Sequence, residues 1–285
     1  MYTTLISAAQ LQALQTSGDP LMVFDCSFEL MNPAAADALF AQGHITGALQ
    51  AHLERNLSAH DPALAVNGGR HPLPTRESVA HWLGQLGLAN TMQVVVYDRN
   101  KANYCGRLWW MLKWLGHDHV AVLDGGLQAW QAAGGAVDSE LPPARPATSF
   151  LLKPALRELT LTSTLEKHLG RETQTLIDAR AAARFRGEVE PLDPIAGHIP
   201  GALNRPFNEN MNSDGFFKSP AQLKLEFETI LAGRDPSSVV HHCGSGVSAI
   251  PNVLAMEIAG LGPTALYAGS WSEWCNTPGL PCAQG

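Results

Sequence analysis

The stretch Val239-Val240-His241-His242-Cys243-Gly244-Ser245-Gly246-Val247-Ser248 decides how this chain is read. A β-branched apolar run delivers one cysteine into a small glycine-bearing loop, and an amphipathic run from Val247 to Ala259 follows at once. The pattern predicts strand, tight loop and helix. In that arrangement the loop's backbone N–H groups and the helix N-terminus point at the sulfur, and both favour negative charge there. A cysteine at a strand end is by default a small core residue. The two glycines and the strand–helix context argue for more: a thiol drawn toward the thiolate, acting as a nucleophile or a sulfur carrier.

Working outward, the two halves of the chain repeat each other. Gly43-His44-Ile45-Thr46-Gly47-Ala48 matches Gly197-His198-Ile199-Pro200-Gly201-Ala202, and Val23-Phe24-Asp25 matches Leu176-Ile177-Asp178. Val94 to Asp98 matches Val239 to Cys243, and Gly125 to Trp130 matches Gly269 to Trp274. Four blocks in the same order mean a duplicated domain, not a solenoid repeat. Each half alternates short apolar strands with amphipathic helices, which predicts α/β units on a mainly parallel sheet flanked by helices. Strands are expected over 21–25, 94–98 and 119–123 in the first half, and over 175–178, 238–242 and 264–267 in the second. Ser219-Pro220 opens a helix, with serine as N-cap and proline at the first helical position. The segment around Leu141-Pro142-Pro143-Ala144-Arg145-Pro146 is proline-rich and aperiodic, so it reads as a linker. The expected division is a first domain over 1–137, a linker over 138–157, and a second domain over 158–285 that carries the thiol.

Composition narrows the function classes. The 285 residues suit two domains that each bury a core, and 19 basic against 26 acidic residues give a net charge of −7. No basic stripe or aromatic-basic interleaving points to nucleic acid, and no apolar run reaches membrane-spanning length. The start, Met1-Tyr2-Thr3-Thr4-Leu5, lacks the basic-then-apolar pattern of a secretory signal, so a cytoplasmic protein is expected. Cysteines stand at positions 26, 105, 243, 275 and 282 with no Cys-x-x-Cys pair, which supports neither a thioredoxin-type redox pair nor a zinc ribbon. Their odd number fits free thiols.

The duplication sorts function from scaffold. Cys243 stands where the first half has Asp98, so a thiolate site exists in one copy only. His44 and His198 are paired across the copies, as are Asp25 and Asp178, and all four read as structural; the histidines are expected to bond backbone near a strand start. His241 and His242 alternate faces of a strand, so at least one packs in the core. What remains unique to the second half is Ser245 in the loop and the pair Arg184 and Arg186 in Ala183-Arg184-Phe185-Arg186-Gly187. A guanidinium fork is a natural clamp for a carboxylate, and the competing reading of each arginine is a solvated surface pair.

With these residues in view, the chain resembles the two-domain rhodanese (sulfurtransferase) family, and within it the 3-mercaptopyruvate sulfurtransferase branch. The likeness runs the full length through Asp178-Ala179-Arg180, Arg184-Phe185-Arg186-Gly187, Gly197 to Ala202, Cys243 to Ser248, and Tyr267 to Trp274. Thiosulfate-preferring members usually carry basic residues directly after the cysteine, whereas mercaptopyruvate-preferring members carry a loop like Gly244-Ser245-Gly246-Val247-Ser248. The resemblance implies that Cys243 accepts the sulfur and that Gly244, Gly246, Val247 and Ser248 help to cradle the persulfide. It implies that Arg184 holds the donor's carboxylate, that Ser245 polarises or protonates the departing pyruvate, and that Glu54 stands where relatives often have an aspartate facing the cysteine across the domain interface. It implies a small-molecule sulfur donor, with cyanide, a small thiol or a thioredoxin-like protein as acceptor, and no metal or organic cofactor. Three features depart from the family pattern. Leu192 stands where many relatives have a second substrate arginine, for which Arg186 or Arg205 is the expected substitute; Glu54 is one methylene longer than aspartate; and Pro251 fits only near the first turn of its helix.

The implied reaction is ping-pong covalent catalysis through a Cys243 persulfide. Thiosulfate:cyanide sulfurtransfer and a non-enzymatic persulfide relay are the alternatives. A cysteine phosphatase needs an arginine six residues after the cysteine, where this chain has Ala249. A metal site from His241, His242 and Cys243 fails because successive strand residues face opposite ways.

Overall fold

The computed structural model describes residues 1–285. The chain forms two compact units: Met1–Leu64, Pro74–Leu156 and Ser213–Phe216 in the first, and Ala65–Leu73, Arg157–Asn212 and Phe217–Gly285 in the second. This differs from an unbroken division at residues 138–157, because two short segments change sides. Residues 65–73 pack with the second unit because Gly69 lies against the turn at Gly269: a Cβ there would stand 2.7 Å from Gly269 O and from Ser272 Oγ. Residues 213–216 join the first unit, where the Phe216 ring comes 2.8 Å from the place of a Cβ on Gly125. The expected linker is not a free spacer. Thr148 N–H donates to Gly84 O at 2.8 Å and Lys153 N–H to Leu115 O at 3.0 Å, so it is strapped along the first unit.

The first unit is built on a five-stranded, wholly parallel sheet in the order Leu5–Ile6, Val120–Leu123, Gln93–Tyr97, Leu21–Asp25, Leu49–Gln50. The sheet of the second unit runs Ala265–Leu266, Val239–His242, Thr175–Asp178, Leu203–Asn204, again all parallel. A single parallel bridge from Leu159 to Leu266 stands where the first unit has its fifth strand. Parallel strands are covered on both faces, which is why Val94, Val95 and Val96 form an uninterrupted apolar run. No helix is long and apolar enough to cross a membrane.

The copies agree in detail. Asp25 pairs with Tyr97 in one sheet and Asp178 with His242 in the other, so Asp98 and Cys243 each follow the last residue of the equivalent strand. Trp130 Nε1 donates to Ala136 O at 2.9 Å, and its counterpart Trp274 donates to Pro281 O at 2.8 Å. His44 and His198 each stack on a phenylalanine at 3.8 Å and donate from Nδ1 to the carbonyl of that residue, Phe40 and Phe185 respectively. Both histidines are therefore pieces of scaffold: His44 holds a helix end to the strand His44–Ile45, and His198, in an isolated bridge with Ala283, holds the end of helix Ala182–Phe185 to the C-terminal segment.

Candidate active site

Strand Val239–His242 leads into a loop at Cys243 that closes on helix Ile250–Ile258. Gly246 makes the loop possible: its φ is +71°, and a Cβ there would lie 2.2 Å from Ala268 O. Pro251 falls in the first helical turn, where its missing N–H costs no intrahelical bond. Val247 is buried, and its carbonyl accepts Ile250 N–H at 3.1 Å. Cys243 itself is buried; its N–H donates to Ser270 Oγ at 3.1 Å and its carbonyl accepts Trp271 N–H at 3.0 Å.

The first unit shows what this strand–loop–helix turn binds. Asp98 Oδ1 accepts the N–H groups of Asn100 and Ala102 at 2.8 and 3.0 Å, and Oδ2 those of Tyr104 and Cys105 at 2.8 and 2.9 Å. Burial pushes that carboxyl up from the usual range, and the converging amides pull it part of the way back. The loop is thus an anion cradle filled by the chain's own carboxylate. In the second unit a thiol occupies that position, and the N–H groups of Gly244, Ser245, Val247 and Ser248 have no acceptor within the protein. An anion on the sulfur, or an oxyanion beside it, is what such a turn favours.

Two arginines converge beside Gly244. Arg184 is gripped by Glu190 at 2.7 and 2.9 Å and touches Asp193 Oδ2 at 3.3 Å, while Asp193 Oδ1 accepts Arg70 Nη1 at 2.7 Å. Arg184 Nη1 and Arg70 Nη2 then lie 3.4 and 3.2 Å from where a Cβ on Gly244 would stand. The loop residues carry no cation, but the loop is not without one nearby. Ser245, also buried, places Oγ 2.7 Å from His71 Nδ1. The structure therefore brings Cys243, Gly244, Ser245, Gly246, Val247, Ser248 and Arg184 together and adds Arg70 and His71.

The two substitutes expected for the arginine missing at Leu192 are both engaged by other partners in the structure. Arg186 is an exposed residue paired with Glu188 at 2.6 Å, the solvated pair that was its competing reading. Arg184 and Arg186 are only two residues apart at the end of the short helix Ala182–Phe185, and such residues do not share a helix face. Arg205 is buried over the Phe227 ring and bonds Asn210 and Glu226, so it braces the scaffold. Glu54 belongs to the first unit, in the helix Leu53–Asn56, where it accepts His60 Nε2 at 2.6 Å. His241 and His242 are both fully buried, and burial pushes His241 down to about 3 and lowers His242, so both are neutral packing residues at physiological pH. The signal for Arg70 and His71 was present in Gly68-Gly69-Arg70-His71-Pro72, a polar turn between prolines and glycines, but it stands in the half without the thiol.

A family model described as the rhodanese-like domain matches residues 7–133 and again 161–277. The probable 3-mercaptopyruvate sulfurtransferase of Pseudomonas aeruginosa is 45% identical over 282 residues, covering 99% of this chain and 98% of that protein. The thiosulfate sulfurtransferase of Bos taurus is 32% identical over 269 residues, covering 90% and 86%. Among solved structures, the 3-mercaptopyruvate sulfurtransferase from Leishmania major is similar at a TM-score of 0.81 and 31% identity, over 95% of this chain and 74% of that one. The two matched segments hold the two sheets except for the edge strand Leu5–Ile6, and the strand–loop–helix turn recurs in both. This chain belongs to the rhodanese-like family, with one copy of the domain in each half.

Proposed function

We propose that this chain is a sulfurtransferase that takes sulfur from 3-mercaptopyruvate onto Cys243 and passes it to a thiol or cyanide. The Cys243 thiolate attacks the donor sulfur. A sulfur–sulfur bond forms, the carbon–sulfur bond breaks, and its electron pair leaves on the carbon as the enolate of pyruvate. Proton uptake by that carbon completes pyruvate and leaves a persulfide on Cys243; the acceptor then removes the outer sulfur and regenerates the thiolate. The observation that carries this reading is the exchange of Asp98 for Cys243: the turn that surrounds a carboxylate with four amides in one copy carries a thiol at the equivalent position in the other. The Ser245–His71 pair supports a role in delivering the proton to the enolate.

The arginine pair supports a carboxylated donor, and its surroundings favour the monoanion. Arg70 and Arg184 are matched by Glu190 and Asp193, so the clamp has little net charge before a donor arrives. A keto-acid carboxylate can bond the open guanidinium edges, whereas a dianion such as thiosulfate would meet two fixed carboxylates as well. Pyruvate release with 3-mercaptopyruvate as donor should therefore show a higher kcat/KM than transfer from thiosulfate to the same acceptor. Arg184→Ala and Arg70→Ala are each expected to lower kcat/KM for 3-mercaptopyruvate by about 10- to 150-fold, equivalent to the loss of one charge-assisted contact of about 1.5–3 kcal/mol. Arg186→Ala should leave it unchanged. Wild-type kinetics in both Arg184→Ala and Arg70→Ala would remove the clamp from the proposal, and a preference for thiosulfate would replace the donor. The acceptor in this reading is cyanide, a small thiol or a thioredoxin-like protein, and the five free cysteines support a reducing, cytoplasmic setting.

A further inference from the structure

We infer that Ser270 and Ser272 are positioning residues that fix the nucleophile and one arginine of its clamp in a common frame. The inference rests on the reading of Cys243 as the sulfur acceptor. Ser270 is fully buried and holds a left-handed backbone, φ +57°, which L side chains other than asparagine and aspartate rarely adopt. Its counterpart in the first unit is Gly126, at φ +59°, where a Cβ would stand 2.3 Å from Asp98 O. The copy without the thiol uses the unstrained residue, and the copy with the thiol keeps a strained serine.

The hydroxyl shows what the strain maintains. Ser270 Oγ donates to Tyr267 O at 3.0 Å and accepts Cys243 N–H at 3.1 Å. Trp271 N–H donates to Cys243 O at 3.0 Å, and Ser272 N–H to Gly244 O at 2.9 Å. The turn thus binds the cysteine's peptide on both sides. Only the Trp271 bond has its match in the first unit, Leu127 N–H to Asp98 O at 3.1 Å; there, Gln128 reaches Arg99 O with its side-chain amide. Ser272 Oγ also accepts Arg70 N–H at 3.0 Å. One four-residue stretch, Gly269 to Ser272, therefore sets the nucleophile, the first loop peptide and an arginine of the clamp relative to one another.

The two serines should separate kinetically. Ser270→Gly and Ser270→Ala both remove the hydroxyl, but only glycine relieves the backbone strain, so the glycine variant should be the more stable of the two by thermal unfolding. A positioning role requires kcat for pyruvate release to fall in both by a similar factor, about 3- to 10-fold for the lost bond to Cys243 N–H, with KM little changed. Alkylation of Cys243 by iodoacetamide at fixed pH, which needs no donor, should slow in both. Ser272→Ala should instead raise KM for 3-mercaptopyruvate by about 3- to 10-fold through Arg70, and Ser272→Thr should restore it. Wild-type kcat and alkylation in Ser270→Gly, or activity that simply follows stability between the two Ser270 variants, would overturn the positioning role alone. A wild-type protein that transfers no sulfur would instead overturn the function on which it rests.

Discussion

Replacing Cys243 by serine is expected to abolish sulfur transfer from every donor, with kcat/KM lowered by about a thousandfold or more. A serine hydroxyl is a far weaker nucleophile at neutral pH and forms no persulfide. The exchange is close to isosteric in a loop whose backbone bonds run through Cys243 N–H and C=O, so the variant should unfold within about 1 kcal/mol of wild type. Steady-state kinetics with 3-mercaptopyruvate and thiosulfate, beside a denaturation curve, check both halves of this expectation. Cys282→Ser, at an exposed position, provides the control with unaltered turnover. Substantial activity in Cys243→Ser would mean that sulfur leaves the donor by another route.

The largest effect on stability is expected in the copy that has no thiol. Asp98→Ala would leave the N–H groups of Asn100, Ala102, Tyr104 and Cys105 without their acceptor. Each unpaired buried donor costs about 1–3 kcal/mol, and water entering the space left by the carboxylate recovers part of it. A net loss of about 4 kcal/mol is expected, confined to the transition of the first unit if the two units unfold separately. Chemical denaturation followed by tryptophan fluorescence measures it. A loss under about 1 kcal/mol would show that the cradle does not depend on an anion at its centre.

That comparison between copies was legible in the amino-acid sequence because duplication gives each motif its own control. The strand runs, the helix opened by Ser219-Pro220, and the offset of Cys243 against Asp98 all follow from local patterning, and strand ends shifted by only a residue or so, as in Gln93–Tyr97. The loop's need for glycine at 246 rests on its φ of +71° and on Ala268 O lying where a Cβ would go, neither of which the amino-acid sequence states. Nor was the clamp legible. Arg70 and His71 stand far from Cys243 in sequence, in a segment that packs with the second unit, and no local period reports such a crossing. Arg184 and Arg186 looked alike because chain spacing alone does not say which guanidinium finds a buried carboxylate and which finds solvent. Glu190 and Asp193, which orient the arginines, carry no mark of that role in the local sequence. Ser270 was invisible for a different reason: a serine is unremarkable in a turn until its φ is known.

The reaction through Cys243 is tested most directly by a single turnover without acceptor. The protein is mixed with 3-mercaptopyruvate, released pyruvate is quantified, and the peptide containing Cys243 is examined by mass spectrometry. Sulfur transfer through this residue predicts one pyruvate per chain, one added sulfur atom on Cys243, and loss of that sulfur on addition of a small thiol. Pyruvate release with the added sulfur on Cys26, Cys105, Cys275 or Cys282, or with no cysteine modified, would contradict it.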